Sequence, residues 1–347
     1  MKKIYVAILF LILSQLTIAQ NHKLEWAKQI RGTYNDEGNS ITTDAAGNVY
    51  TTGYFSGTAD FDPGTGTTNL TSAGIYDIFI QKLDPAGNLL WVKKMGGTSN
   101  DYGSSITTDA TGNVYTIGTF RYIVDFDPGD GTTNLISAGY SDIFIQKLDS
   151  AGNFLWAKQM GGTSHDYGSS ITTDATGNVY TTGYFSGTAD FDPGTGTTNL
   201  TSAGRDDIFI QKLDPAGNLL WVKKMGGTSH DDGYSITTDV AGNVYTTGSF
   251  IGTADFDPGA GTTNLTSAGY YDIFIQKLDS AGNLLWAKQM GGTDYDVGHS
   301  ITTDATGNVY TTGQFKETVD FDPGTGTSNL TSAGYYDIFI QKLDSAG

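Results

Sequence analysis

Five pairs of aspartates, each leading into Pro-Gly, are the residues whose spacing first suggests chemistry. They are Asp60 and Asp62, Asp125 and Asp127, Asp190 and Asp192, Asp255 and Asp257, and Asp320 and Asp322. Carboxylates at i and i+2 beside a glycine can chelate calcium together with main-chain carbonyls. An EF-hand loop would add a third oxygen ligand two residues further on and close with a glutamate. No glutamate follows these pairs. The competing expectation is a Pro-Gly turn whose aspartates bond the loop's own amides.

A second set of carboxylates recurs at Asp36, Asp101, Asp166, Asp231 and Asp296, each just before a β-branched run. If those runs surround an axis, five carboxylates gather near it and could hold a cation or ligand. Like charges at close range would otherwise raise one another's pKa. Alternatively each aspartate bonds amides of its own loop. Tyr140, Tyr270, Tyr271, Tyr335 and Tyr336 follow an Ala-Gly pair in their copies and vary from copy to copy. They suit sugar stacking or protein contact, or packing against neighbouring loops.

Catalysis finds little support. An active site needs different residues in complementary roles, whereas 30 of the 34 aspartates are six positions repeated five times. The four histidines, His22, His165, His230 and His299, form no H-E-x-x-H pattern. A glycosidase would need a carboxylate acid and base. Only Glu37 and Glu317 lie in suitable loops to act as a glutamate acid. The expectation is a non-enzyme.

The elements that position these residues come from a repeat. Trp26, Trp91, Trp156, Trp221 and Trp286 are each 65 residues apart, and such a period must be read before anything else. Each copy carries four strand-like runs. In one they are Ser105–Asp109, Val114–Phe120, Asp142–Asp149 and Phe154–Met160. Gly-Asn pairs supply the positive φ that tight hairpins need. The third run is apolar on both sides, with Ile143 and Ile145 on one and Phe144 and Leu148 on the other. A sheet buried on both faces must lie between others. Four-stranded antiparallel sheets stacked around an axis make a β-propeller. The reading is therefore all-β, with five four-stranded blades in one domain over residues 20–347.

The motif D-x-x-G-N-V-Y-T-x-G at Asp109–Gly118, followed by D-I-F-I-Q-K-L-D and W-A-K-Q-M-G-G, resembles the SBBP β-propeller repeat. It is also similar to NHL repeats, whose blades place the equivalent of Ser105–Asp109 innermost and the tryptophan strand outermost. The resemblance covers Leu24–Gly347. It implies a propeller of bacterial secreted type and no single activity.

The ends leave two arrangements open. The chain opens on an outer-type strand, Leu24–Ile30, and stops after a third-type strand, Asp337–Asp344. Either the first completes the last blade and closes a five-bladed ring, or the array is an open piece of a larger propeller. Residues 1–19 have Lys2 and Lys3, then an apolar run, Ile4–Leu13, as in a secretory signal peptide. The chain is thus expected to be secreted or at the cell surface, with no membrane insertion after cleavage. It has no cysteine and a formal charge of −18. Such an acidic surface repels nucleic acid and anionic lipid. The expected partner is an extracellular glycan or protein, met through the face bearing the long loops. No cofactor is expected; calcium at the aspartate pairs is the alternative. A structural module of a longer secreted protein is the alternative.

Overall fold

A computed structural model describes residues 23–347; the expected signal peptide lies outside the described residues. Among the described residues there is no helix. Four sheets have four strands in sequential antiparallel order. The first blade comprises Glu37–Thr43, Val49–Phe55, Asp77–Leu83 and Leu89–Met95. The second comprises Tyr102–Thr108, Val114–Phe120, Asp142–Leu148 and Phe154–Gly162. The third uses Asp166–Thr173, Val179–Asp190, Asn199–Leu213 and Leu219–Gly227. The fourth uses Asp231–Thr238, Val244–Phe250, Asp272–Leu278 and Leu284–Met290. The fifth has three strands, Val297–Thr303, Val309–Phe315 and Asp337–Leu343.

The tight turns form for the reason the sequence suggests. Asp109 Oδ1 accepts the amides of Thr111 and Asn113, each at 2.9 Å, and Asn113 Nδ2 donates to Oδ2 at 2.8 Å. Gly112 sits at φ +81°, where a Cβ would be strained. The same carboxylate accepts the hydroxyl of Tyr115 at 3.1 Å, locking the turn to the buried strand behind it.

The blades stack face to face. Ile143 and Ile145 pack with Ile171 and Val179 of the third blade. Phe144 and Leu148 pack with Tyr50 and Ile78 of the first. Each sheet between two neighbours is thus apolar on both sides, as its sequence requires. Side chains sew successive blades together at the repeat spacing. Ile106 N donates to Ser40 Oγ at 3.2 Å, and Lys82 Nζ donates to Ser150 O at 2.9 Å while lying over the Tyr50 ring.

One expectation needs correction, and one of the two arrangements left open is favoured. The first strand of each blade starts earlier than its β-branched core. In the second blade it begins at Tyr102, three residues before Ser105. Gly103 reads as loop in the sequence, yet it lies inside the strand beside a β-bulge. A Cβ there would fall 2.4 Å from Thr52 Oγ1 of the preceding blade, so glycine marks a close approach rather than a turn.

The ring does not close through Leu24–Ile30. Trp26 Nε1 donates to Pro85 O at 3.0 Å, as Trp91 does to Ser150 O. Arg31 and Gly32 pair with Asp60 and Ala59, as Gly161 and Gly162 pair with Asp190 and Ala189. The segment therefore lies against the first blade where the outer strand of a preceding blade would lie. The fifth blade keeps a free edge and an open face. Ile338 and Ile340 are 81% and 80% exposed, whereas Ile273 and Ile275, their equivalents in the fourth blade, are fully buried. Ile41 of the first blade is 67% exposed against 4% for Ile106. A hollow of about 290 Å³ beside Trp26, Ile41 and Phe79 is this uncovered flank.

Candidate functional site

The Asp-Phe-Asp-Pro-Gly loops are built as turns. Asp60 Oδ1 accepts the amides of Asp62 at 3.0 Å and Thr68 at 2.8 Å, and Asp62 Oδ1 accepts that of Gly64 at 2.7 Å. The same three bonds recur at Asp125 and Asp127, Asp190 and Asp192, Asp255 and Asp257, and Asp320 and Asp322. A Cβ on Gly66 would meet Asp62 Oδ2 at 2.2 Å, so the carboxylate folds over the glycine. Among the described residues no three acidic or histidine side chains converge to hold a metal. Calcium in these loops would draw its remaining ligands from carbonyls or water.

The blade-connection aspartates are placed beneath the loops. Asp101, Asp166, Asp231 and Asp296 are fully buried, and Asp36 is partly buried. Asp101 Oδ2 accepts Gly97 N at 2.8 Å, and its Oδ1 accepts Arg121 N at 3.0 Å. Asp166, Asp231 and Asp296 do the same, so that these four clamp the tail of one blade's outer strand to the end of the next blade's second strand, while Asp36 accepts Ser56 N at 3.3 Å. Burial pushes Asp101 up to about 6 and both Asp166 and Asp231 to about 7. The carboxylates of Asp77, Asp142 and Asp207 beside them raise these values further.

The long-loop tyrosines do gather with the blade connections on one face. Ser141 bridges to His165 and Tyr271 to Tyr295 in parallel. Tyr140 stacks on His165 with centroids 4.9 Å apart, and Tyr270 on Tyr295 at 5.1 Å. Tyr335 packs edge-on to Tyr336 under the ammonium of Lys316. Tyr140, Tyr270, Tyr335 and Tyr336 remain exposed.

Sequence reasoning missed the site that the fold assembles best. A cavity of about 550 Å³ lies where the first strands of all five blades converge, lined by Asn39, Ser104, Ser169, Tyr234 and His299. These are one position of the repeat, each immediately before an unvarying Ser-Ile-Thr-Thr. Two positions earlier stand Glu37, Tyr102, Tyr167, Asp232 and Val297, which also differ. The signal was available as two variable columns inside an otherwise constant strand. Tyr167 and Tyr184 complete the wall, stacked at 4.9 Å. Beside them, the Tyr234 hydroxyl donates to Asp232 Oδ2 at 3.0 Å. Toward the first blade, Tyr54 donates to Glu37 Oε2 at 2.5 Å and packs edge-on against Tyr76 and Tyr102. The arrangement offers aromatic faces and neutral hydrogen-bonding groups around one axis, with the carboxylates of Glu37 and Asp232 beside it. A concave site with aromatic walls and a few convergent polar groups is the form that ligand pockets take.

A family model described as a beta-propeller repeat, SBBP, matches residues 25–60, 90–119, 155–190 and 285–314. The chain is 27% identical over 329 residues to the uncharacterized WD repeat-containing protein L264 of Acanthamoeba polyphaga mimivirus, covering 80% of this chain and 24% of that one. It is 25% identical over 247 residues to the regulatory protein FlaEY of Caulobacter vibrioides, covering 64% and 25%. The chain therefore spans about a quarter of the length of these curated relatives. Among solved structures, it resembles a protein of unknown function from Bacteroides caccae (TM-score 0.42, 13% identity, 90% of this chain and 79% of that). It also resembles the WD40 β-propeller domain of Doa1 (TM-score 0.32, 10% identity, 82% and 92%).

Proposed function

We propose that this chain, which carries SBBP beta-propeller repeats, is a non-catalytic binding module of the cell exterior whose ligand is a saccharide. The ligand enters between the long loops and seats in the axial cavity. One observation carries this reading. Five nearly interchangeable blades present Asn39, Ser104, Ser169, Tyr234 and His299 at a single position around one cavity. A purely structural array has no use for such differences, because identical residues would stack equally well. Aromatic rings present an apolar face while their hydroxyls keep a polar handle. Serine, asparagine and histidine supply donors and acceptors at the rim. That combination fits a sugar ring, which has apolar faces and a polar edge. The exposed tyrosines of the long loops widen the contact at low entropy cost.

The reading is tested by screening the purified chain against a glycan array and measuring hits by calorimetry. Asn39→Ala, Tyr234→Ala and His299→Ala should each weaken a true axial ligand. Binding that survives all three substitutions together places the ligand elsewhere. N-terminal sequencing of protein recovered outside the cell tests export. An intact Met1 on exported protein contradicts the signal-peptide reading.

A further inference from the structure

We propose that the axial cavity takes the protonated amine of an amino-sugar residue, seated against the carboxylate of Asp232. This rests on the saccharide reading and narrows it.

Asp232 is out of place in the repeat. Six repeated positions account for all but four of the aspartates, the exceptions being Asp130, Asp206, Asp232 and Asp294. Two of these four meet at the fourth blade. Arg205 Nη1 lies 2.9 Å from His230 Nε2, and His230 Nδ1 lies 2.5 Å from Asp206 Oδ2. Arginine carries only donors, so its guanidinium donates to Nε2, and Nδ1 carries the hydrogen directed at Asp206. The charges of Arg205 and Asp206 therefore answer one another through the ring. Asp232 forms no salt bridge among the described residues: His230 is its one basic neighbour, and Asp206 adds a like charge. Asp232 is half-buried, its Oδ2 accepts only the Tyr234 hydroxyl, and its Oδ1 has no hydrogen-bond partner among the described residues.

A carboxylate removed from water is costly unless a cation answers it. Burial pushes Asp232 up to about 6, which expresses that cost. Asp232 stands just behind the lining, next to the wall residues Tyr184 and Tyr234, and no lysine or arginine lines the cavity. Asp232 and Tyr234 project to the same side of their strand, as their hydrogen bond shows, and Tyr234 and Tyr184 form the adjoining wall. An ammonium placed there gains the charge partner and the faces of tyrosine rings. Asn39, Ser104, Ser169 and His299 remain to bond the hydroxyls of the same sugar. A lysine side chain would bring the charge but no hydroxyls for Asn39, Ser104, Ser169 and His299 to bond.

The test is calorimetry of the full chain with three tetrasaccharides: β-1,4-linked glucosamine, its fully N-acetylated form, and cellotetraose. Binding of the glucosamine tetramer about ten-fold tighter than the others is expected, with Asp232→Asn removing the preference. Asp130→Asn, at an exposed position outside the cavity, should leave it intact. Equal affinity for all three sugars, unchanged in Asp232→Asn, overturns the amine assignment while the saccharide reading stands. Failure of every tetrasaccharide to bind defeats both. Polylysine bound in an Asp232-dependent way, with no sugar bound, shows an amine site but overturns its assignment to a saccharide. A thermal melt of Asp232→Asn guards against misreading an unfolded variant.

Discussion

Asp166 Oδ2 accepts the main-chain amide of Gly162 at 2.7 Å and so ties the tail of the second blade to the first strand of the third. Its other oxygen reaches Ser186 N at 3.3 Å. The carboxylate is fully buried, with the carboxylates of Asp142 and Asp206 as charged neighbours. The blade junctions thus depend on acids whose pKa values are raised.

That arrangement makes stability depend on pH with a definite sign. Burial is the first cause of the raised values at Asp101 and Asp272, about 6, and at Asp166 and Asp231, about 7. Asp77 and Arg121 face Asp101, Asp207 and Asp232 face Asp231, and Asp296 faces Asp272. A raised pKa means the folded state holds its proton more tightly than the unfolded chain. The resulting stability is fully present below the ordinary aspartate value and is lost as pH rises through about 6 to 7. The turn aspartates act oppositely. The main-chain amide of Asn88, then its side chain, holds Asp84 low. The side chains of Asn308 and Thr306 hold Asp304 low. Their contribution fades as pH falls below about 4. Melting temperature should therefore peak near about pH 4 to 5 and fall steadily toward pH 8, and Asp166→Asn should flatten the decline. A melting temperature that is level from about pH 5 to 8, or a steeper decline in the variant, contradicts this account.

The open array makes a sharp comparison between two equivalent isoleucines. Ile275 in the fourth blade is fully buried, and Ile340 in the fifth is 80% exposed. Ile275→Ala should cost about 2–5 kcal/mol through lost burial and a cavity. Ile340→Ala should cost less than about 0.5 kcal/mol. Equilibrium urea denaturation of both variants measures the difference. Equal costs would mean that the fifth blade is covered in solution, and the open arrangement would then be wrong.

Calcium gives a simpler test. If the Asp-Phe-Asp-Pro-Gly loops bind it, the metal stabilises the native state by mass action. The turn bonds of Asp60 and Asp62 already hold these loops without it. The expected result is a melting temperature that changes by less than about 1 °C between millimolar calcium and chelator. A larger rise, abolished by joint Asp→Asn substitution at Asp60, Asp125, Asp190, Asp255 and Asp320, would establish a metal site.

Much of the fold was legible because the repeat states it five times. The period of the tryptophans, the Gly-Asn turns and the two apolar faces of Asp142–Leu148 each have one local cause. The destination of Leu24–Ile30 was not legible. Its sequence is that of an outer strand, and such a strand has two neighbours: its own blade and, through Arg31–Gly32, the next. Strand type alone does not say which contact survives when the rest of the blade is missing. The axial residues were hidden for another reason. Gly38, Gly103, Gly168, Gly233 and Gly298 interrupt the β-branched pattern, so the variable positions beside them read as loop. The bulge that keeps them in the strand depends on the approach of a neighbouring blade, which no single copy encodes.

The variable columns can be tested by making one blade resemble another. The second and third blades both read Tyr-Gly-Ser-Ser-Ile-Thr-Thr where the fourth reads Asp-Gly-Tyr-Ser-Ile-Thr-Thr. Asp232→Tyr with Tyr234→Ser therefore installs a sequence that this fold already accommodates twice. Its backbone, including the bulge between Gly233 and Ser235, matches that between Gly168 and Ser170. Stability should change by less than about 1 kcal/mol, since the residues replaced are compatible with the same local structure. Saccharide binding should fall at least about ten-fold, because the carboxylate and its phenol partner leave the axis together. Replacing Tyr140, Tyr270, Tyr271, Tyr335 and Tyr336 with serine should weaken binding less, since these rings stand on the loops around the entrance. Calorimetry paired with a melting curve for both variants separates the two regions. If the loop set abolishes binding and the axial graft leaves it unchanged, the ligand sits on the loop tips and the cavity is only the hollow where five strands meet.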